Sequence, residues 1–393
     1  MKAHHRQPSL QNTLPTPTFP PEGDNPDLVF ANLEAMRARG PLHRVTIAGI
    51  GEVWLVCDHK MIAGLLTSKG LSRAEPGRPS GIDVAELRRR VPASSLARAS
   101  EEIADVVQRR ANTMVRDALS RSSVDLALEY AFPLAFMVFA ELFAIPEGDH
   151  AELLDLSKAA SPLYTTLGDN ADRRAATGAL ADYFFSLIHR KSRSAGRDFL
   201  SRLIVETGSS EATLQEISRI ALLLYMAGQG PTANLLSSSM LHCLRHPSFC
   251  EQFSQNPEQI ARATAELARF DSPVFPGVCR YAVYDMNLAG YEVRKGDRLV
   301  FPIAGVGRDP AYVNDPDRLM FARTRAPGLP FGHGPHHCPG RSIAILGVTA
   351  GLRGFVSHQR VRVASDAIIP RWSVSPLRAL LNLHLVAKTQ DSH

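Results

Sequence analysis

The sequence lacks a long hydrophobic run and any segment with the make-up of a secretory leader. No stretch approaches the ~18 consecutive apolar residues that a membrane-spanning helix requires. Residues 1–26 are rich in Pro, Thr, Asn and Gln and contain no apolar core of a signal peptide. We therefore expect a cytoplasmic protein that does not associate with a membrane.

Cysteine is scarce and shows no regular pattern. The five cysteines are Cys57, Cys243, Cys250, Cys279 and Cys338. Their odd number and the absence of Cys-x-x-Cys spacing argue against a disulfide framework and against a structural zinc site. A cysteine in such a chain is by default a small buried hydrophobe, so a reactive one must be recognised from its neighbours.

Clusters of basic residues are also missing, although the net charge is +5. The 44 Lys and Arg residues and the 39 Asp and Glu residues are dispersed along the chain, and no basic run is interleaved with aromatic residues. This distribution does not favour nucleic acid as a ligand. Dispersed positive charge fits an acidic protein partner.

The hydrophobic pattern predicts one large domain. Residues 1–25 form a segment that is either unstructured or wraps the surface. From Asp27 to about Phe270 apolar residues recur at helical spacing, and residues 126–145 are apolar on nearly every side, as in a buried helix. Residues 271–303 and 379–388 are typical of β-strands. We therefore predict a single domain over residues 26–393, mainly α with a smaller β-rich part.

The most informative segment runs from Phe331 to Ala344 and reads FGHGPHHCPGRSIA. A cysteine thiolate that ligates iron needs positive potential, a shield from water and a backbone that lets the sulfur approach the metal. Cys338 stands before a predicted helix that starts at Pro339-Gly340, and the N–H groups at a helix start favour a thiolate. Glycines allow close approach to a flat macrocycle, and Phe331 would cover the sulfur.

This segment resembles the haem-binding loop of the cytochrome P-450 superfamily, Phe-x-x-Gly-x-x-x-Cys-x-Gly-x-x-x-Ala. The fixed positions of that pattern are all matched, by Phe331, Gly334, Cys338, Gly340 and Ala344. The resemblance extends from Pro26 to Val386. It implies the single-domain fold of that family, a triangular helical prism, with haem b (iron protoporphyrin IX) as cofactor and Cys338 as the axial iron ligand. One departure is His337, where bacterial relatives usually carry an apolar residue. The alternative interpretation is a buried cysteine after a glycine-rich loop.

A second matching feature is the family's Glu-x-x-Arg pair, represented here by Glu266 and Arg269. Side chains at i and i+3 meet on one helix face, and a buried ion pair needs a further partner to be satisfied. Arg318 is the candidate for that partner. The resemblance implies that these residues hold the haem loop and do no chemistry.

The haem propionates require cationic or hydrogen-bonding partners. By position, Arg280, Arg88 and His336 correspond to the family's propionate contacts. Arg88 lies in a run of three arginines that is equally consistent with plain surface. Val84 occupies the place where many relatives carry a propionate-binding His, which implies that one contact is missing.

The predicted distal helix departs most from the family pattern. The family usually reads Ala/Gly-Gly-x-acid-Thr, in which the acid and the alcohol supply protons for dioxygen reduction, and Ala227 and Gly228 match its start as haem contacts. The acid is replaced by Gly230 and the alcohol by Pro231. Proline removes an N–H group and displaces the carbonyl of residue i−4, so Pro231 would preserve an oxygen-binding groove without the proton donor. Gln229 and Thr232 are the candidate catalytic substitutes. The alternative is that each faces elsewhere and that Pro231 is only a tolerated kink.

The predicted substrate pocket combines residues from two parts of the chain. By position its lining includes Val274, Phe275, Pro276, Val278 and Leu377. The short segment between Leu66 and Arg88 leaves no room for the extra helix that often covers this pocket in the family. A shorter cover implies an open pocket suited to a bulky substrate or to one tethered to a carrier.

The resemblance implies a monomeric haem-dependent oxidase of a small organic or peptidic substrate in bacterial secondary metabolism, with electrons from a ferredoxin and its ferredoxin reductase. Because the acid–alcohol pair is missing, two alternatives that keep the haem remain open: a peroxygenase driven by peroxide, and an isomerase or dehydratase that needs no dioxygen. A third alternative is a haem sensor or carrier without turnover. The sequence does not distinguish hydroxylation from desaturation or cross-linking.

Overall fold

The structure is a computed structural model that describes residues 16–19, 27–75, 77, 90–161, 171–194, 196–274, 277–323, 329–358, 372–373 and 379–386. Among the residues predicted from the sequence, Val84, Arg88, Phe275, Pro276 and Leu377 lie outside these ranges, and His336 is described only by its backbone.

Helices account for most of the described chain. The α-helices are α1 (Asp27–Arg39), α2 (His59–Thr67), α3 (Ala93–Leu119), α4 (Phe132–Phe143), α5 (His150–Ala160), α6 (Ala171–Arg193), α7 (Phe199–Thr207), α8 (Glu211–Arg245), α9 (Pro247–Gln255), α10 (Ile260–Phe270), α11 (Ile303–Val306) and α12 (Arg341–Ser357). A π-helical turn (Ala127–Ala131) precedes α4, and 3-10 turns span Glu147–Asp149, Pro257–Gln259 and Gly334–His336.

The strands are short. They are β1 (Leu42–Ile47), β2 (Gly51–Val56), β3 (Leu71–Ser72), β4 (Ser123–Asp125), β5 (Val278–Ala282), β6 (Met286–Leu288), β7 (Tyr291–Val293), β8 (Arg298–Phe301), β9 (Trp372–Ser373), β10 (Ala379–Leu380) and β11 (His384–Val386). The largest sheet has the order β1-β2-β8-β5-β3, and only the β2–β8 pair is parallel. The pairs β4–β11, β6–β7 and β9–β10 are each antiparallel.

The helical core surrounds α8, which crosses the molecule as one unbroken 35-residue helix. Helices α4, α6 and α12 pack against it, and α3 packs against α12. Helix α4 contributes Phe136, Phe139 and Phe143 to an aromatic cluster with Tyr225 of α8 and Phe184 of α6. Because α4 is apolar on all sides, only a fully buried position satisfies it.

Part of the N-terminal segment is ordered against the large sheet. The backbone N–H of Phe19 donates to the carbonyl of Thr46 at 2.8 Å, and the N–H of Thr46 donates to Pro17 at 2.9 Å. Phe19 is 1% exposed and packs with Leu33 and Val45. Residues 16–19 therefore lie along β1. Within the ranges given above, no helix combines the length and hydrophobicity needed to cross a membrane.

Candidate functional site

The loop that carries Cys338 is folded back on itself. The N–H group of Cys338 donates to the carbonyl of Phe331 at 2.7 Å, and the N–H of His337 donates to Gly334 at 3.1 Å. Gly332 and Gly334 have φ angles of 77° and 59°, in the left-handed region that favours glycine. The two glycines therefore permit the reversal that brings Cys338 next to Phe331.

Helix α12 starts three residues after Cys338, at Arg341, and Gly340 occupies its N-cap. This is two residues later than the start at Pro339 that the sequence indicates, because the first helical hydrogen bond runs from the N–H of Ala344 to Gly340 at 3.0 Å. A Cβ atom placed on Gly340 would lie 4.0 Å from Sγ of Cys338. The sulfur thus lies close to the start of α12, where unpaired N–H groups and the helix dipole favour a thiolate.

The loop is held from outside by α2 and by Arg341. A Cβ atom on Gly334 would approach Cγ2 of Thr67 in α2 to 2.5 Å, so the backbone of Gly334 lies close to the Thr67 side chain. The guanidinium of Arg341 lies 5.5 Å from the centre of the half-buried Phe331 ring. These contacts limit the space in which the Cys338 loop can rearrange.

Glu266 and Arg269 form a buried network. The Arg269 guanidinium donates to both carboxylate oxygens of Glu266 at 2.7 and 2.8 Å, and its side chain has no exposed surface. It also donates to backbone carbonyls of the loop that follows α11, namely those of Gly307, Pro316 and Arg318. The pair therefore ties α10 to this loop.

The third charged member of the network is Arg323, and the prediction of Arg318 is wrong. Nε of Arg323 donates to Oε1 of Glu266 at 3.0 Å, and the N–H of Met320 donates to the same oxygen at 3.0 Å. Arg318 contributes only its backbone carbonyl, at 3.1 Å from Arg269, and is itself exposed. The path of the loop after α11 points the Arg318 side chain outward and the Arg323 side chain inward.

Arg280 is a buried cation on β5. It is 5% exposed, and its guanidinium donates to the adjacent carbonyl of Cys279 at 2.7 Å. Burial lowers the pKa of Arg280 to about 10, and the nearby positive charge of Arg73 contributes in the same direction. No carboxylate in the described part of the chain pairs with Arg280. A buried guanidinium beside a second arginine is a site for an anion, and a haem propionate has the required charge.

Helix α8 presents one face of small residues. Ala227 is exposed, and Gly230 and Pro231 are half-buried, whereas the helix around them is largely buried. Pro231 has no N–H group, so the carbonyl of Ala227 loses its helical donor. Gly228 differs from its neighbours, because a Cβ atom there would come within 2.2 Å of the Phe139 ring. Gly228 thus permits the contact of α8 with α4.

Gln229 and Thr232 lie on another face of α8. Together with Tyr225 and Leu236 they follow the i, i+4, i+7, i+11 spacing of a single face, and all four are at most 4% exposed. Thr232 packs against Gly347 of α12. Nε2 of Gln229 and Oγ1 of Thr232 have no hydrogen-bond partner among the described residues. Their role in proton delivery stays a prediction, and from this face either one needs a water or a rotation to reach the side of Pro231.

Asn234 is a residue that sequence reasoning missed. It lies at i+7 from Ala227 and i+3 from Pro231, on the small-residue face, and is 4% exposed. Its Nδ2 atom finds no acceptor within the described ranges. The sequence did contain a signal for Asn234, because its amide side chain follows Pro231 by one helical turn. Arg73 and Arg323 left no such signal, since each lies in an irregular segment.

Two of the predicted pocket residues are described. Val274 and Val278 are both half-buried, before and at the start of β5. Gly277 between them would place a Cβ atom 1.9 Å from the carbonyl oxygen of Phe301, which fixes the close approach of this segment to β8. Val274 and Val278 precede Arg280 by six and two residues in the chain. Their contact with a substrate stays a prediction.

A sequence model of the family described as "Cytochrome P-450" matches residues 82–373, which is more than half of the chain. This chain belongs to the cytochrome P-450 family. The polyketide-biosynthesis cytochrome P-450 PksS of Bacillus subtilis is 30% identical over 265 residues, 67% of this chain and 65% of that protein. The vitamin D(3) 25-hydroxylase of Pseudonocardia autotrophica is 28% identical over 346 residues, 82% of this chain and 83% of that protein. The match to PksS thus spans slightly less than two thirds of its length.

The solved structure of PksS superimposes with a TM-score of 0.80 at 26% identity, covering 92% of this chain and 97% of that one. The predicted fold class, mainly α with a smaller β-rich part, is therefore confirmed as that of a cytochrome P-450. The family implies haem as the cofactor, and the residues in the structure fit that group. A thiol lies beside a helix start, a buried guanidinium has no carboxylate partner among the described residues, and α8 carries a face of small residues.

Proposed function

We propose that this cytochrome P-450 is a monooxygenase-type oxidase that binds haem b through Cys338. The observation that carries the proposal is the Cys338 loop, closed by the 2.7 Å hydrogen bond to Phe331 and followed by the start of α12. Two relatives carry names that specify hydroxylation or polyketide biosynthesis. We infer a small organic or peptidic substrate of bacterial secondary metabolism.

Each residue of the site has a distinct task in this proposal. When bound, haem supplies the redox chemistry, and thiolate ligation favours O–O cleavage. Cys338 provides the thiolate, and N–H groups at the start of α12 moderate its charge. Phe331 shields the sulfur from water, and Arg280 neutralises a propionate. Gly334, Gly340 and Ala344 allow the macrocycle to approach the backbone, while Arg88 and His336 remain proposed contacts.

Proton delivery must differ from the usual family pattern. Gly230 and Pro231 carry no proton donor, whereas the Ala227 carbonyl that Pro231 leaves without a helical donor can accept a hydrogen bond from water or substrate. We infer that the substrate, or a water that it orders, completes the relay. Gln229 and Thr232 can participate only through such a water or after a rotation, because both are buried on another face of α8.

The proposed electron donor is a ferredoxin, reduced by a ferredoxin reductase. Arg341 is exposed beside Phe331, and the net charge of the chain is +5, which favours an acidic partner. Added salt shortens the Debye length from ~10 Å at 0.1 M to ~3 Å at 1 M, so the rate of electron transfer should fall steeply. The proposal further includes a monomeric, cytoplasmic protein with a single domain over residues 26–393. It also includes a substrate that is bulky or tethered to a carrier.

The missing acid–alcohol pair also favours a second candidate, a peroxygenase, and an isomerase or dehydratase would likewise need no relay for dioxygen protons. These alternatives and a non-catalytic haem sensor make different predictions for the purified haem-loaded protein. We expect turnover with ferredoxin, reductase and dioxygen. Turnover with hydrogen peroxide alone would favour the peroxygenase. Conversion without any oxidant would favour the isomerase or dehydratase, and a lack of conversion of every tested substrate would favour the sensor.

The ligand assignment has its own test. Reduced protein under carbon monoxide should show the red-shifted Soret band of thiolate ligation, and Cys338→His should lose it. Cys57→Ser is the matched control. Cys57 is a buried thiol that precedes α2 in the chain, so the Cys57→Ser protein should keep the band. An unchanged band in Cys338→His would refute the assignment.

A further inference from the structure

Two thiols that the proposed chemistry does not use lie side by side where α8 ends and α9 begins. Cys243 is in the last turn of α8 and is 2% exposed, and Cys250 is half-buried in the first turn of α9. Only His246 separates the two helices, and its backbone (φ −130°, ψ 81°) turns the chain. This turn brings the sulfur atoms into hydrogen-bonding contact, although both thiols are reduced.

The two thiols are inequivalent. The hydrogen bond from Cys243 lowers the pKa of Cys250, and the same contact together with burial raises the pKa of Cys243. The position of Cys250 in the first turn of α9 acts in the same direction, since a helix N-terminus favours a thiolate. By contrast, burial raises the pKa of Cys57 to about 12 and also raises that of Cys279. Cys250 therefore has the properties of an attacking thiolate and Cys243 those of a resolving thiol.

Solvent reaches this corner of the molecule. Arg245, His246 and Phe249, which flank the two cysteines in sequence, line an open groove of about 960 Å³ between α1, α8 and the loop after α11. Arg245 and His246 are exposed. Cys250 itself is half-buried and follows Phe249 directly in the chain. The exposed guanidinium of Arg245 places positive charge in this region, which favours the approach of a small anionic disulfide.

We propose that Cys243 and Cys250 are a thiol–disulfide exchange site, which a low-molecular-weight disulfide oxidises to an intramolecular disulfide between α8 and α9. The Cys250 thiolate attacks one sulfur of the oxidant and releases its other half as a thiolate, which takes up a proton. The Cys243 thiol then loses its proton and attacks the sulfur of Cys250 in the mixed disulfide, which releases the second thiol. The protein loses two electrons and two protons, and the oxidant becomes two thiols.

The probe is oxidised glutathione, applied to the haem-loaded full-length protein, followed by alkylation of remaining thiols, trypsin and mass spectrometry. Trypsin cleaves after Arg219, Arg245 and Arg262, so that each cysteine of the pair lies in its own peptide. The expected result is a disulfide linking peptide 220–245 to peptide 246–262, lost on reduction, while Cys57 and Cys279 remain alkylated.

Two variants separate the steps. Cys243→Ala should trap glutathione on Cys250, because the resolving thiol is gone, and Cys250→Ala should leave Cys243 alkylated and unmodified. Cys57→Ala is the control and should give the linked peptides as the unmodified sequence does. Stable glutathionylation of Cys250 with Cys243 still present, or reaction of Cys57 and Cys279 as fast as Cys250, would overturn the proposal. Both outcomes are read on the unmodified sequence, so a variant that fails to fold does not affect the test.

Discussion

Replacing Glu266 by Ala removes the one carboxylate that two guanidinium groups share. The Arg269 side chain is fully buried and the Arg323 side chain is 12% exposed, and both donate to Glu266 at 2.7–3.0 Å. Water cannot solvate the charge on Arg269 once its partner is lost. Breaking such a buried pair from one side costs about 3–5 kcal/mol.

That cost can be expressed as a change in Tm. With an unfolding entropy of about 2.1 cal/mol/K per residue over 393 residues, 3–5 kcal/mol lowers Tm by roughly 4–6 °C. Because Arg269 and Glu266 also bind the loop between Gly307 and Met320, we expect poorer haem incorporation in the same variant. Thermal unfolding followed by circular dichroism and the haem-to-protein absorbance ratio measure the two effects.

Matched controls come from the same region. Glu258 is exposed, just before α10, and has no charged partner in the described part of the chain, so Glu258→Ala should change stability by less than about 0.5 kcal/mol. Arg323→Ala should destabilise clearly more than Arg318→Ala, since only the backbone carbonyl of Arg318 takes part. Equal effects of Arg323→Ala and Arg318→Ala, or a Glu266→Ala protein as stable as Glu258→Ala, would refute the reasoning.

Three further predictions concern the haem side of the molecule. Arg280→Met should weaken haem binding by the apoprotein roughly ten- to a hundredfold, the value of a charged hydrogen bond of about 1.5–3 kcal/mol, and Arg280→Lys should lose less; equal haem titrations of all three proteins would contradict the role. Gly228→Ala should lower Tm, because overpacking against the Phe139 ring costs about 1–3 kcal/mol, and adding Phe139→Leu should restore it; a stable single variant argues against the contact. The double variant Gly230→Asp with Pro231→Thr should form more product per dioxygen from substrate analogues that lack a polar group, and should change little with the native substrate. Equal peroxide release by the double variant and the unmodified protein would count against a proton relay completed by the substrate.

The sequence alone determined the features that rest on local spacing. The pattern from Phe331 to Ala344 places the thiol before a helix, and the i,i+3 spacing of Glu266 and Arg269 makes them meet on any helix. The apolar character of α4 on every side requires burial wherever its partners lie. Each of these features lies within one loop or one helix, so the order of the residues specifies its geometry directly.

Only the tertiary structure decided which distant residues complete those local features. Position in the sequence pointed to Arg318 as the partner of Glu266, whereas the path of the loop after α11 places Arg323 there. Likewise, periodicity groups Gln229 with Thr232, but the packing of α4 and α12 decides that their face is the buried one. The contact between Cys243 and Cys250 depends on the turn at His246. Such choices depend on how elements far apart in the chain share space, because burial and pairing are properties of the packed molecule and not of a short segment.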